Sequence, residues 1–303
     1  MENITVGVVG LGRMGFAIAQ RLHRAGLTVV GLEQNDEKKS AVLGAGMKFT
    51  TSYDELAKCA SVVWLMVPAG EAVDAVLAQL QGRLAPGSVV IDGGNSFFKD
   101  SVRRHQALAA AGLHFVDCGT SGGVHGGELG YSLMVGGDAA AVESCRPLFD
   151  AIAMQPDGFV HVGPSGAGHF VKMVHNGIEY ALLQGYAEGF HLLKDGPYRA
   201  LDLAAVAKVW NNGSIIRSWI CQLAQDVLTK DQELADIAGG IGENKTGQWT
   251  TQVAREHQVP LQVIEASLAV RAWSRATGGN YATKLVAMLR NAFGGHPVDK
   301  IGK

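Results

Sequence analysis

The chain reads as an α/β protein: a doubly wound N-terminal domain followed by an all-α C-terminal domain. Three observations predict this. Up to about residue 164, short apolar runs alternate with amphipathic stretches, the pattern of a mainly parallel sheet covered on both faces. After Gly168, long segments of helical period follow and strand signals cease. The 40 glycines of the 303 residues gather at Gly10–Gly15, Gly93–Gly94, Gly119–Gly130, Gly136–Gly137, Gly163–Gly168 and Gly239–Gly247. In doubly wound proteins such clusters occupy strand-to-helix turns, where backbone approaches a ligand closely.

In order, the strand candidates are Thr5–Val9, Thr28–Leu32, Ser61–Val67, Ser88–Ile91, His114–Asp117, Ser132–Val135 and Phe159–Val162. Helical patterns lie between them at Met14–Ala25, Ser52–Lys58, Glu71–Leu80 and Val102–Ala111. The second half offers helices over His169–Lys194, Leu201–Trp210 and Ser214–Leu228, with two more between Pro260 and Phe293. The turn-rich connection His161–Gly166 divides the chain into expected domains 1–164 and 165–303.

Hydrophobic residues make up 47% and charged residues 18%, with a formal net charge of -2 and no basic run. This balance argues against nucleic acid and against an anionic membrane surface as partners. Cys59, Cys118, Cys145 and Cys221 lie far apart without metal-ligand spacing, so they read as reduced thiols and no metal site is expected. A strand-like run begins almost at once, leaving no room for a signal peptide, and no apolar stretch is long enough to span a bilayer. The expectation is a cytoplasmic protein.

Gly10-Leu11-Gly12-Arg13-Met14-Gly15 follows a strand and opens a helix, the context that gives a G-x-G-x-x-G match its meaning. The glycines permit a tight turn and close approach to a pyrophosphate, and the helix start supplies N–H donors. This predicts a Rossmann-type dinucleotide site. Glu33, at the end of the next strand, falls where an acid hydrogen-bonds the adenosine ribose and repels a 2′-phosphate, which favours NAD and leaves NADP possible. Lys38 and Lys39 nearby weaken that preference.

Farther on, Lys172, His175, Asn176 and Glu179 are spaced i, i+3, i+4 and i+7 and share one helix face, with Tyr180 at its edge. A surface helix showing its wet side would look similar. This stripe, however, lacks a Glu-Lys mixture, follows a glycine-rich turn, and combines a potential base, an amide and a potential acid.

The stretch Gly166–Tyr180, GAGHFVKMVHNGIEY, resembles the signature helix of 6-phosphogluconate dehydrogenases, within the β-hydroxyacid dehydrogenase superfamily. Matching segments follow in family order: Ile91–Ser96 (IDGGNS), Thr120–Gly123 (TSGG), Trp210–Gly213 (WNNG), Lys245–Thr250 (KTGQWT) and Arg290–His296 (RNAFGGH). At 303 residues the chain is similar to the short type of that family.

The resemblance implies oxidative decarboxylation of a sugar-acid phosphate without a metal. Lys172 would be the base that takes the C3 hydroxyl proton, which requires a neutral lysine. Glu179 would protonate C1 of the enediol, while His175 and Asn176 hydrogen-bond near C3. Asn95, Ser121, Gly122 and Gly123 would hold the carboxylate end and hydroxyls. Tyr180, Lys245, Arg271, Arg290 and His296 would surround the phosphate. The cofactor would meet Gly10, Leu11, Gly12, Arg13, Met14, Gly15, Glu33, Val67, Pro68 and Asn95. The resemblance further implies a homodimer or homotetramer in which the C-terminal tail reaches the neighbouring site.

Two departures stand out. Long enzymes read K-G-T-G-K-W where this chain has Lys245-Thr246-Gly247-Gln248-Trp249, which leaves open whether Lys245 or Asn244 faces the phosphate. Arg271 aligns only by counting from Val259-Pro260. The rival readings are a dehydrogenase of the same superfamily for 3-hydroxyisobutyrate or tartronate semialdehyde, and a catalytically silent NAD(P)-binding protein. The first lacks the His175, Glu179, Tyr180 set; the second should have lost Lys172 or Glu179.

Overall fold

The computed structural model describes residues 4–301; positions 1 and 303, the outer limits of the two expected domains, lie outside the described residues. From the N-terminus, β1 (Thr5–Val9) leads into α1 (Arg13–Arg24) and β2 (Thr28–Leu32). Next come α2 (Lys39–Gly44), β3 (Lys48–Thr50), α3 (Tyr53–Cys59), β4 (Val62–Leu65), α4 (Glu71–Leu80), β5 (Val89–Asp92) and α5 (Phe98–Ala110). Then β6 (His114–Ser121) ends in a short turn of 3-10 helix, followed by α6 (Gly126–Leu129), β7 (Ser132–Gly136), α7 (Ala139–Ser144), α8 (Arg146–Ile152) and β8 (Phe159–Gly163).

The strands form one sheet in the order β3-β2-β1-β4-β5-β6-β7-β8. Every pairing is parallel except β6 with β7. The first six positions give the order 3-2-1-4-5-6 of dinucleotide-binding sheets, which expect a ligand where the order reverses, between β1 and β4. Residues alternate across the sheet. Val6, Val8, Trp64, Ile91 and Val116 pack with Ile18, Leu22 and Phe149 on one face. Val9, Val63, Leu65, Val90 and Phe115 pack with Leu56, Leu77 and Leu108 on the other. Burial on both faces explains why these strands read as continuous apolar runs.

The chain parts into two compact units between Met173 and Val174, inside α9 (Ala167–Asp195). The second unit continues with α10 (Leu203–Asn211), α11 (Trp219–Lys230), α12 (Lys245–Glu256), α13 (Gln262–Thr277) and α14 (Tyr281–Gly294). Its core gathers Leu183, Phe190, Leu203, Leu223, Leu228, Ile241, Leu285 and Leu289. Asp202, Ser218, Asn244 and Asn280 each accept a hydrogen bond from the first turn of the helix they open, satisfying a donor that has no partner within the helix. Among the described residues no helix is long and apolar enough to cross a membrane.

The expected α/β class with an all-helical second half is borne out. The structure adds β3, a three-residue edge strand with one buried side chain, and the short helices α2, α6, α7 and α8. It also adds α12, whose buried face is Thr246, Gly247, Thr250, Thr251, Val253 and Ala254 and so lacks a large apolar repeat. Helix α5 starts at Phe98, ahead of the expected Val102, because the Phe98 ring packs edge-on against Phe97 and Phe170. Helix α11 starts at Trp219, behind the expected Ser214, because Ser218 caps it.

Phe190 is fully buried in the helical core and touches Trp210 with ring centroids 5.3 Å apart. Phe190→Ala is expected to cost about 3–5 kcal/mol. Urea unfolding followed by tryptophan fluorescence measures it, and a change below about 1 kcal/mol would contradict the tight packing described.

Candidate active site

The loop from β1 to α1 shows a different reason for each of its glycines. Gly10 has φ +88°, and a methyl group there would come within 2.6 Å of the Met66 carbonyl oxygen. A methyl on Gly15 would overlap the Gly10 carbonyl oxygen, so this glycine lets α1 lie on the strand end. A methyl on Gly12 would meet nothing within 4 Å. Gly12 therefore faces open space at the N-terminus of α1, where first-turn N–H groups attract phosphate oxygens. This cradle of bare backbone fits a dinucleotide pyrophosphate.

Arg13 is exposed, Met14 is half-buried, and the Leu11 side chain lies in the core beneath Gly31. Leu11 thus offers the loop its backbone only, and its N–H donates to Glu33 Oε2 at 2.9 Å. Glu33 also accepts from the Gln34 N–H at 3.2 Å. The acid at the end of β2 is therefore held against the glycine loop before any ribose arrives. Val67, in the loop after β4, lies against both the Gly10 and the Gly94 positions, with the exposed Pro68 beside it.

The loop after β5 is organised by Asp92, which is fully buried. Its carboxylate accepts from Ser96 Oγ at 2.6 Å and from the Gly94 N–H at 3.1 Å, leaving Asn95 exposed between them. Arg104, also buried, places Nη1 3.5 Å from Asp92, donates through Nε to Asp74 at 2.8 Å, and donates through Nη2 to the Gly70 carbonyl at 3.0 Å. The Arg104 hydrogen bond lowers the Asp74 pKa, against a smaller opposing effect of burial. One guanidinium thus ties the loop after β4 to the loop after β5.

β6 ends in Ser121-Gly122-Gly123, where φ values of +138° at Gly122 and +56° at Gly123 require glycine. Upstream, Gly119 sits under Lys172: a methyl there would overlap the Lys172 Cβ. Lys172 is buried at 6% exposure, so its stem lies along β6 and not in solvent. On α9, Lys172, His175, Asn176 and Glu179 occupy one helix face, and His175 Nδ1 lies 3.1 Å from Asn176 Oδ1.

In the helical unit the structure brings together Tyr180, Asn244, Arg271 and Arg290 of the expected residues. The Arg271 guanidinium stacks 3.4 Å from the centre of the Tyr180 ring, and the Tyr180 hydroxyl donates to Asn244 Oδ1 at 2.7 Å. Arg271 is 1% exposed, yet Nη1 and Nη2 have no hydrogen-bond partner within the protein. Burial lowers its pKa to about 10, which leaves it cationic at neutral pH. Arg290 is also buried and lowered by burial, close enough to Arg271 for mutual repulsion. Glu179 and Glu243 supply opposing negative charge to both arginines. Lys245 is exposed in the first turn of α12, and the neighbouring Asn244 bonds Tyr180. His296 packs edge-on against Phe293 at 6.0 Å, and its carbonyl accepts from Asn291. Among the described residues no group of three or more His, Cys, Asp or Glu side chains could hold a metal ion.

Sequence reasoning missed Asp92, Arg104, Asp117, Glu243 and Arg275. The bond of Arg275 to Glu243 at 2.6 Å joins sequence positions that no local motif connects.

The glycine loop makes a paired prediction. Gly12→Ala keeps a melting temperature near that of the parent but binds dinucleotide at least about tenfold more weakly. Gly15→Ala instead lowers the melting temperature, because its methyl has no space. Thermal melts and NADH fluorescence titrations check both, and tight NADH binding by Gly12→Ala would remove the pyrophosphate from this loop.

Comparison with known proteins agrees with this geometry. Residues 5–163 match the family described as the NAD binding domain of 6-phosphogluconate dehydrogenase. Residues 168–300 match the 6-phosphogluconate dehydrogenase C-terminal domain. The chain is 48% identical over 297 residues to the NAD(+)-dependent, decarboxylating 6-phosphogluconate dehydrogenase of Haloferax volcanii, covering 97% of this chain and 98% of that one. Among solved structures, Plasmodium falciparum 6-phosphogluconate dehydrogenase superposes with a TM-score of 0.81 at 27% identity, over 90% of this chain and 62% of the longer one. A 3-hydroxyisobutyrate dehydrogenase from Salmonella typhimurium superposes with a TM-score of 0.77 at 23% identity, over 93% of this chain and 99% of its own, and shows a shared fold alone. With both halves matched in order and a full-length relative at this identity, the chain belongs to the 6-phosphogluconate dehydrogenase family.

Proposed function

We propose that this chain is an NAD-dependent, decarboxylating 6-phosphogluconate dehydrogenase that forms ribulose 5-phosphate and carbon dioxide. The observation that carries this reading over a small hydroxy acid is the buried pair Arg271 and Arg290 beside Tyr180. Arg271 buries two guanidinium nitrogens without a protein partner, with a second buried cation close by, and such an arrangement is costly unless an anion completes it. A phosphate does so, and the acid substrates of the rival reading carry none. The name of the Haloferax volcanii relative supports both the substrate and NAD.

When bound, the nicotinamide supplies the hydride acceptor for C3 of the substrate. Lys172 takes the C3 hydroxyl proton as that hydride leaves, giving a 3-keto acid. A β-keto acid carries its own electron sink. The C1–C2 bond breaks, its electron pair forms the enediol, and Lys172 returns the proton to the C3 oxygen. As Lys172 withdraws that proton again, Glu179 delivers one to the carbon that lost carboxylate, giving the ketone. No net proton is consumed: substrate carboxylate and oxidised cofactor become carbon dioxide and reduced cofactor. Ser121, Gly122 and Gly123 would orient the carboxylate end with Asn95, and His175 and Asn176 the C3 oxygen. Tyr180, Arg271, Arg290, His296 and either Asn244 or Lys245 would hold the phosphate. We further propose that the chain works as a homodimer or larger assembly of such dimers, with the tail beyond Arg290, His296 included, completing the neighbouring site.

Turnover of 6-phosphogluconate with both cofactors tests the assignment. Lys172→Met is expected to lose at least about 1,000-fold in kcat, and Glu179→Gln about 100-fold with carbon dioxide release less affected than product formation. Near-normal turnover by Lys172→Met would remove it as the base. Absence of activity in the parent chain would reject the function itself.

Cofactor choice rests on Glu33. The parent should favour NAD over NADP by at least about tenfold in kcat/KM, and Glu33→Ala should narrow that ratio. A parent preference for NADP would overturn this reading of Glu33 while leaving the reaction in place.

A further inference from the structure

We infer that Asp117 is a positioning residue that fixes the base Lys172 by anchoring the first turn of α9 to β6. This rests on the function proposed above, but its evidence is geometric. Asp117 is fully buried, and both carboxylate oxygens are used: Oδ1 accepts from the Gly166 N–H at 2.6 Å and Oδ2 from the His169 N–H at 2.8 Å. These are two of the N–H groups that a helix start leaves without intrahelical partners. Asp and Asn usually cap the helix they precede. Here the cap comes from a strand 49 and 52 residues upstream, so the bonds link two elements of the tertiary structure. A buried carboxylate accepting two N–H bonds at the positive end of a helix is a short, charge-assisted contact.

Three glycines show how little play remains. A methyl on Gly168 would come within 2.5 Å of the Met134 carbonyl oxygen and 2.6 Å of that of Asp117. A methyl on Gly136 would lie 2.7 Å from the Gly168 nitrogen and 2.8 Å from Asp117 Oδ1. Gly119 leaves room for the Lys172 Cβ and nothing larger. The first turn of α9 therefore rests on the bare backbone of β6 and β7, with Asp117 as its electrostatic pin. A second pin is the buried Ser101 hydroxyl, 2.7 Å from His169 Nδ1. Lys172 lies three residues beyond His169, so the angle at which α9 meets β6 sets where the lysine stem starts. The same strand runs on from Asp117 through Gly119 to Ser121, the start of the turn proposed for the substrate carboxylate. Asp117 thereby sets the base and that turn on one rigid frame.

Asp117→Asn is the direct test, because it keeps shape but turns one acceptor into a donor facing an N–H. The expected result is a folded protein with NADH affinity and KM for 6-phosphogluconate within about threefold of the parent and kcat lower by about 100-fold. The primary isotope effect on kcat with substrate deuterated at C3 should rise, because a misplaced base makes the oxidation step limiting. A purely structural role would lower the fraction of active protein and leave the isotope effect unchanged. Either that result or an unchanged kcat overturns the proposal. If Asp117→Asn does not fold, Gly119→Ala leaves the Asp117 carboxylate in place but puts a methyl against the Lys172 Cβ and the Gly168 carbonyl, and so shifts the same turn and the base with it. It should show the same loss and rise, and a parent-like kcat would overturn the proposal equally. Should the parent chain not oxidise 6-phosphogluconate, the function fails separately. Amide exchange at Gly166 and His169 then still reads the anchor: at least about tenfold faster exchange in Asp117→Asn supports it, and unchanged protection sinks it.

Discussion

Asp92, the last residue of β5, and Asp117, midway along β6, are both shut off from water and stand in register on neighbouring parallel strands. Burying two carboxylates side by side is unfavourable unless each is given donors of its own. The sheet meets this by turning the demand into structure. Asp92 takes the Gly94 N–H, the Ser96 hydroxyl and the charge of Arg104, and so shapes the loop that presents Asn95. Asp117 takes the start of α9. Two adjacent elements of the candidate site are thus ordered by buried carboxylates.

Much of this was readable in the sequence, for identifiable reasons. Strands buried on both faces leave long apolar runs, and the glycine loop leaves a spacing, so β1, α1 and β2 stood out. The face shared by Lys172 and Glu179 followed from helical periodicity alone. Helix α12 did not stand out, because threonines, glycine and alanine make most of its buried side and give no apolar period. Asp117 did not stand out either. A single acid inside an apolar strand has no local signature, and its partners lie far along the chain. Arg271 could be reached only by counting from a proline, yet the structure stacks it on Tyr180. The bond between Tyr180 and Asn244 likewise depends on tertiary folding of α12.

The helical unit carries the opposite electrostatic problem. Arg271 and Arg290 are buried close together, repel one another, and are only partly offset by Glu179 and Glu243. Such an arrangement lowers the stability of the empty protein and raises its affinity for an anion of the right shape. The aromatic face of Tyr180 orients the planar Arg271 guanidinium, whose two outer nitrogens have no partner within the protein. On the function proposed above, stability is conceded where anion recognition needs it.

The cysteines have a practical consequence. Cys118 and Cys145 are buried in the sheet unit and Cys221 in the helical one, and burial raises the pKa of all three thiols. Cys59 alone among the four is exposed, at the end of α3, with its thiol against the carbonyls of Glu55 and Leu56. A maleimide dye added to the native protein therefore meets a single reachable thiol, on a helix that carries none of the proposed chemistry. The chain comes with a built-in attachment point for a reporter, at a position the proposed reaction does not need.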